Sequence, residues 1–563
     1  MSDTLEEIPG PLRTIADAYV DALIELDPVT GTQLGVADSA RRLPDFSPEG
    51  RDRLAALARA TLLDLDAALR AEGSHSDAER RCARLLRERL GAELGLHEAG
   101  EGLRDVSNFD SPPHTVREVF LLMPTGTRQD WEAVAERLRA VPAAFDGWRA
   151  SLTEGLARGL PAGPRQVATV IAQLDAWTGS GEGWFAEFAA PGLRHAPRAL
   201  RGGAARADRS LGELRDWLRH TYAPAVAHAP DTVGRERYAR FARLWTGMDL
   251  DLDEAYAYGW SEYHRLAAEM RREAAKITPG ARDPWAVLGR LADHGRAVEG
   301  AEQARAWLQS LMDDAIDRLD TTHFDLSGPL RRVESCLAPA GSAAAPYYTP
   351  PSLDFSRPGR TWLPTMGRTR FPAYDLVSTW YHEGVPGHHL QLAQWVRVAD
   401  RLSRYQTTVG LVSANLEGWA LYAERLMDEL GFLTDPELRL GHLDAQMLRA
   451  VRVIVDIGMH LGLAMPADAP QGPRTSWTPE LAQRFLRAHS GRPEEFVESE
   501  IVRYLGLPGQ AIGYKLGERA WLTGRAAARA AHGDAFDLKA WHMAALSLGS
   551  LGLDDLVAEL SRL

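Results

Sequence analysis

Apolar residues recur every three or four positions along most of the chain, the spacing that buries one face of a helix. In RDRLAALARATLLDLDAALR the stripe is Leu54, Leu57, Leu62, Leu63 and Leu65; in WEAVAERLRAV it is Trp131, Val134, Leu138 and Val141. Charges fill the positions between, so both segments predict long amphipathic helices. Alternation with a period of two is rare. Its clearest stretch runs from about Pro329 to Pro364, where RRVESCL, APYYT and GRTWL are parted by turns rich in Pro, Gly and Ser. The expected fold class is therefore mainly α, a large helical body with a small β-sheet of two or three strands.

Composition shifts at 196–209, 337–346 and 467–476 read as loops, because none is long enough for a flexible interdomain linker. No repeat of 20–50 residues appears, which excludes a solenoid. The expected organisation is one two-lobed body. Residues 1–300 form an N-terminal helical half, and 301–563 form a C-terminal half with the sheet and most candidate chemistry.

Composition narrows the function classes. The 563 residues are 45% hydrophobic and 25% charged, enough for a large core without the charge excess of a disordered chain. Sixty-four Lys and Arg against 77 Asp and Glu leave a net charge of −13, a sign that opposes general nucleic-acid binding. Cys82 and Cys336 stand far apart and neither belongs to a CxxC pair, so a disulfide scaffold and a cysteine-ligated zinc are excluded and two reduced, buried thiols are expected. The N-terminus, MSDTLEEIPGPLRT, lacks a basic and then apolar leader, and a cytoplasmic location is expected. The apolar run Val451 to Met465 is interrupted by Arg452, Asp456 and His460 and fails as a membrane span. The pattern sets no oligomeric state.

The chemistry concentrates in STWYHEGVPGHHLQLAQW, which holds three of the seventeen histidines. A catalytic zinc site needs neutral imidazoles, a carboxylate ligand, an open position and a second carboxylate to take a proton from water. His382 and His388 supply two ligands, and Glu383 supplies the base. In HExxH sites the histidines are four apart, so that a helix stacks them on one face. Here the interval is six, which on a regular helix turns the second ring away by about 120°. A two-residue bulge at Pro386-Gly387 would return His388 to the metal face. His389 is the alternative, on the right face of an unbroken helix but about 10 Å along its axis.

The third ligand is sought in NLEGWALYAERLMDEL, where Glu417 and Glu424 are seven apart and share a face. Gly418 and Trp419 beside Glu417 point to close packing and favour it as ligand. Glu424 stands evenly between a surface ion pair and a supporting role at the metal. Asp456 and His460, four apart in an apolar helix, are either a core pair or support for the metal. In SEIVRYLGLPGQAIGYKLGE, Arg503, Tyr504, Tyr514 and Lys515 offer a tyrosine hydroxyl for an oxyanion and cations for a substrate carboxylate. His97-Glu98 is a decoy, with no histidine a turn or two later. GxSxG, P-loop and GxGxxG patterns are absent.

HEGVPGHHLQ, EGWALYAE, DIGMH and RYLGLPGQAIGYKLG, in that order, resemble the bacterial family called domain of unknown function 885. The resemblance runs from LDPVTGTQLGVADSARRLPDFSPEG through YYTPPSLDFSRPG to the end, almost the whole chain. It implies a zinc peptidase with an all-helical, zincin-like fold and a central cleft, similar to the M3 oligopeptidases, the carboxypeptidase Taq group and angiotensin-converting enzyme. It also implies one Zn²⁺ per chain on His382, His388 and Glu417, with Glu383 as general base. Arg503-Tyr504 resembles the Arg-Tyr pair of angiotensin-converting enzyme, which implies Tyr504 as oxyanion donor.

The expected substrate is a short peptide, with no nucleic-acid or membrane partner. Trp380 and Tyr381 are expected to wall the cleft, the Tyr347-Tyr348 strand to offer a sheet edge, and Arg503 or Lys515 to hold a terminal carboxylate. The alternatives are a metal-dependent hydrolase of a small non-peptide amide or ester, and a helical binding or scaffold protein with structural histidines.

Overall fold

Capping chemistry sets where the long helices begin. Ser76 with Glu79, and Thr127 with Asp130, form capping boxes that start Asp77–Glu98 and Arg128–Ala157. The Asp251 carboxylate accepts from the amides of Asp253 and Glu254 to start Leu252–Ile277, and Asp435 followed by Pro436 starts Pro436–Leu461. Gly462, at φ 62°, ends that last helix in the left-handed conformation that a glycine adopts at no steric cost. The structure, a computed structural model, describes residues 10–563 apart from 72, 180, 182, 340–344 and 471–474. It is mainly α.

The chain divides into two units. The first holds Met1–Arg240 and Ser499–Pro508; the second holds Phe241–Glu498 and Gly509–Leu563. The division thus falls at Arg240, not near residue 300. Its cause is the helix Leu252–Ile277, which packs along Pro436–Leu461, where a side chain at Gly259 would meet Ile454 and Val453 at 3.1 Å.

In the first unit Trp131, Val134, Leu138 and Val141 are buried as their spacing predicts, whereas Leu63 is exposed. The stretch 196–209, expected as a loop, lies mostly inside the helix Pro197–Trp217. Gly203 is a packing residue: a Cβ there would stand 3.0 Å from Leu138 Cβ, so the absence of a side chain lets this helix lie close on Arg128–Ala157. The other two expected loops, 337–346 and 467–476, fall partly outside the described residues. So do residues 1–9 of the N-terminus.

In the second unit the three strands read from the sequence form one sheet. β1 is Ala297–Glu299, β2 is Val333–Leu337, β3 is Tyr347–Thr349, β4 is Gly359–Leu363 and β5 is Arg370–Pro372. β4 is central, parallel to β2 and antiparallel to β3, with Tyr347 opposite Trp362. The antiparallel pair β1 and β5 was not anticipated, because three residues are too few to show alternation. Both cysteines are free; Cys82 is buried, and Cys336 on β2 is partly exposed rather than buried as expected. Among the described residues no helix is long and apolar enough to cross a membrane.

Candidate metal centre

The helix Ala373–Glu383 ends one residue after His382, and a second helix, His388–Arg397, begins at His388. The expected bulged continuous helix is therefore replaced by two helices and a four-residue link, Gly384 to Gly387, that includes a cis Val385-Pro386 bond. The link folds back on the helix it leaves. The Gly387 amide donates to the Tyr381 carbonyl at 3.0 Å, and a Cβ on Gly387 would fall 1.9 Å from the His382 carbonyl oxygen. Only glycine permits that approach.

The ligand carboxylate arrives on the helix Ser413–Glu429. Two contacts fix that helix on either side of Glu417. A Cβ on Gly418 would meet Gly517 at 2.4 Å, so the helix lies against Gly513–His532 at backbone distance. The Trp419 indole donates to the carbonyls of Pro386 and Gly387 at 2.9 and 3.1 Å, which ties the Glu417 helix to the histidine link.

The ligand atoms of His382, His388 and Glu417 all lie within 4.8 Å of one another. His382 Nε2 is 3.3 Å and His388 Nε2 is 3.6 Å from Glu417 Oε2. Ligands held at about 2.0–2.2 Å in a tetrahedron around zinc stand about 3.4 Å apart, so these two edges fit the ion. Glu417 Oε2 is buried with no hydrogen-bond partner, although two imidazoles face it. A carboxylate oxygen left unpaired in the interior costs about 1–3 kcal/mol, and a cation removes that cost.

A chain of hydrogen bonds fixes the orientation of the first imidazole. His382 Nδ1 donates to Glu424 Oε1 at 2.8 Å, so Nε2 is the atom turned toward Glu417. The Ser378 hydroxyl donates to Glu424 Oε2, and His442 Nδ1, 2.9 Å from Ser378 Oγ, then donates to that oxygen. Glu424 is fully buried, which settles its position away from the surface.

Without a cation, the cluster carries its charge on His382. Burial opposes protonation there, but the adjacent Glu417 carboxylate and the hydrogen-bonded Glu424 outweigh it and push the imidazole up to about 10. Burial likewise pushes both carboxylates up, and their imidazole partners overcome it: His382 and His388 hold Glu417, and His382 and His442 hold Glu424, well below the usual range. Glu383, buried next to His382, is pushed up by burial, while the charges of His382 and His388 pull the other way. A buried carboxyl beside a metal-ligand set, with its affinity for protons raised, is suited to general-base work.

Other expected site residues are engaged elsewhere. His389, fully buried, has Nε2 3.0 Å from the Leu330 carbonyl, so that nitrogen donates and Nδ1 accepts from the Tyr348 hydroxyl at 2.9 Å. Burial holds its pKa down at about 4. His388, not His389, is therefore the second convergent imidazole, and Tyr348 supports the core rather than offering its hydroxyl to a substrate. Tyr347 stacks on Trp362, at the edge of the sheet. Trp380 and Tyr381, expected as cleft walls, are buried; Trp380 bonds Ser335 and Tyr381 packs on Phe432.

Lys515 is fully buried between Glu262 at 3.0 Å, Glu518 at 2.5 Å and Gln446 at 2.8 Å, and has no charge left for a substrate. Asp456 accepts from the Gly509 amide at 2.9 Å and lies 3.6 Å from His460, which makes the pair a core anchor for the Leu-Pro-Gly turn. Arg503 and Tyr504 fall in the first unit, where Arg503 pairs with Glu500 and the Tyr504 hydroxyl donates to it.

Three residues near the centre escaped the sequence reading: Ser378, His442 and Arg449. Ser378 is four residues before His382, and so on its face, a signal present in the sequence. His442 and Arg449 are seven apart on Pro436–Leu461, an equal spacing whose meaning depends on which helix it faces.

No curated protein matches the chain. A crystal structure of a "putative lipoprotein" from Colwellia psychrerythraea is similar at 21% identity, with 98% of each chain covered and a TM-score of 0.84. A "putative lipoprotein of unknown function" from Shewanella oneidensis is similar at 18% identity, over 98% of this chain and 100% of the other, with a TM-score of 0.78. At these identities the likeness shows the fold. Both names overturn the cytoplasmic location expected above, which rested on N-terminal residues outside those described. Residues 28–560 match the family described as "Bacterial protein of unknown function (DUF885)", and the chain belongs to that family.

Proposed function

We propose that the protein is a zinc-dependent peptidase acting on short peptides. The observation that carries this reading is the convergence of His382, His388 and Glu417 around an otherwise unpaired Glu417 oxygen, with Glu383 buried beside them. The donor set of two imidazoles and one carboxylate is that of catalytic zinc sites, which keep a fourth position open. Zinc bound there supplies Lewis acidity, which brings the pKa of a water from 15.7 to about 7.

The chain's own residues perform the rest. Glu383 accepts the proton of the attacking water and passes it to the leaving amine. Glu424, held by Ser378 and His442, keeps the hydrogen of His382 on Nδ1 and so leaves Nε2 free to ligate. The Tyr504 hydroxyl, donated to Glu500, is given no part in this scheme.

Metal analysis of the purified protein, with a peptide library and a set of small amides and esters assayed in parallel, tests the proposal. The expected result is one zinc per chain and cleavage of short peptides that a chelator abolishes and added zinc restores. Bound zinc also stabilises the fold, by about 2.7 kcal/mol at a hundredfold excess over Kd. Zinc uptake with cleavage confined to small amides or esters would move the substrate class. A protein that takes up no metal and cleaves nothing overturns the reading.

A further inference from the structure

Two cations, Arg503 and Lys515, were expected to hold a substrate's terminal carboxylate, and the structure pairs both with carboxylates of the chain. Lys515 is neutralised by Glu262 and Glu518, and Arg503 by Glu500. Arg449 is different. It lies on Pro436–Leu461 seven residues after His442, and so on the same face of that helix two turns further along. Its charge is felt by Glu383 and Glu424, which places it toward the metal centre.

The guanidinium of Arg449 has no carboxylate within pairing distance among the described residues. Its Nη1 donates to the Ala445 carbonyl at 3.1 Å, and its buried Nε has no hydrogen-bond partner. A buried N–H without an acceptor is costly, and a planar fork of donors matches a carboxylate. A second cation stands close by. Arg452, one helical turn on, and Arg449 approach the same Tyr514 ring, with Cζ 5.0 and 5.9 Å from its centre. Both Arg449 and Tyr514 retain some exposure, as a substrate contact requires.

We infer that Arg449, flanked by Tyr514 and Arg452, receives the free C-terminal carboxylate of a peptide substrate, making the protein a carboxypeptidase or dipeptidase; this rests on the peptidase reading above. A carboxylate there accepts hydrogen bonds from the guanidinium and fixes the peptide by its end. Internal peptide bonds and capped peptides lack that anchor.

The test uses the full chain, loaded with zinc and carrying Glu383→Gln so that bound peptide persists. A short peptide and its C-terminal amide, identical otherwise, are titrated by calorimetry. Charged hydrogen bonds are worth enough that the free acid is expected to bind about 10- to 100-fold tighter than the amide. Adding Arg449→Gln is expected to collapse that ratio toward one, and Arg449→Lys, which keeps charge but loses the fork, to give an intermediate ratio.

Equal binding of acid and amide overturns the inference, as does an Arg449→Gln protein that weakens both alike. Calorimetry on the charge-preserving Lys variant, and on the acid and amide pair with Arg449 intact, gives an answer even if the Gln variant does not fold. Zinc uptake with cleavage of acid and amide at equal rates removes this inference and leaves the peptidase reading standing. Failure to take up zinc removes both.

Discussion

Two buried clusters of ionisable groups in the second unit resemble each other in content and differ in closure. Around Lys515, two carboxylates and an amide oxygen surround one ammonium, so the cation has a partner on every side. Around Glu417, two imidazoles meet one carboxylate whose inner oxygen bonds to neither. Both arrangements cost desolvation; the first recovers most of it from the chain's own groups, with only Glu518 Oε1 left without a hydrogen bond. In the proposed reading, a metal ion completes the second.

The comparison breaks most visibly through the residue with no structural duty in either set. Glu383→Gln should lower peptide turnover by roughly 100- to 10,000-fold, the usual contribution of a general base, with zinc content unchanged. Steady-state kinetics beside metal analysis would decide it, and full activity in the variant would remove Glu383 from the chemistry. The closed cluster should answer in the opposite currency. Lys515→Met leaves Glu518 buried without its lysine and Glu262 with Arg265 alone, a loss of about 3–5 kcal/mol, while the zinc affinity of the folded protein stays unchanged. Denaturant unfolding measures the first and chelator competition the second. A large fall in zinc affinity would show that the clusters are coupled.

The helical class and the three-stranded sheet were legible because period and turn chemistry are local properties. The reading failed where a local signal had a distant cause. Gly202 and Gly203 looked like a loop, yet both lie in a helix and Gly203 serves the close approach of a helix from about 65 residues earlier in the chain. The residues of the candidate metal centre were legible as types: His382, His388 and Glu417 converge as their pattern implied. Their geometry was not, because helical periodicity alone cannot say that the helix stops at Glu383 and restarts at His388. Lys515 and Arg449 show the same limit from the other side. Lys515 meets Glu518 within its own helix, a spacing the sequence shows, but Glu262 and Gln446 reach it from other helices, and no spacing within one segment reports them.

Acid sharpens the contrast by unloading the closed cluster. Burial pushes Glu262 up, but Arg265's hydrogen bond and Lys515's charge overcome it and hold the carboxyl at about 2, against 4.5 in its ordinary state. A carboxyl depressed on folding stabilises the protein above its unfolded pKa, and that stability drains as the pH falls from about 4.5 toward 2. At 1.36 kcal/mol per unit the difference amounts to about 3 kcal/mol. Glu417 and Glu424 are depressed too, so the measurement is the difference between wild type and Glu262→Gln across that window. The variant's stability should fall less steeply with acid; parallel curves would mean that Glu262 is not held low.

The smallest effect lies behind the open cluster, where Glu424 orients a ligand without touching the ion. Glu424→Gln keeps the size and one acceptor for His382 Nδ1, but removes the charge and disturbs the bonds to Ser378 and His442. Partners of this kind are worth about 10- to 100-fold in metal affinity, or roughly 1.4–2.7 kcal/mol. Competition against a chromophoric chelator measures it, and thermal unfolding of the metal-free variant separates orientation from mere packing. An orienting Glu424 predicts weaker zinc binding in a variant whose metal-free stability is kept or even raised, since a buried charge has been removed. Unchanged affinity with a lower melting temperature would instead place Glu424 with Lys515, among groups that hold the helices together and have no part in holding the ion.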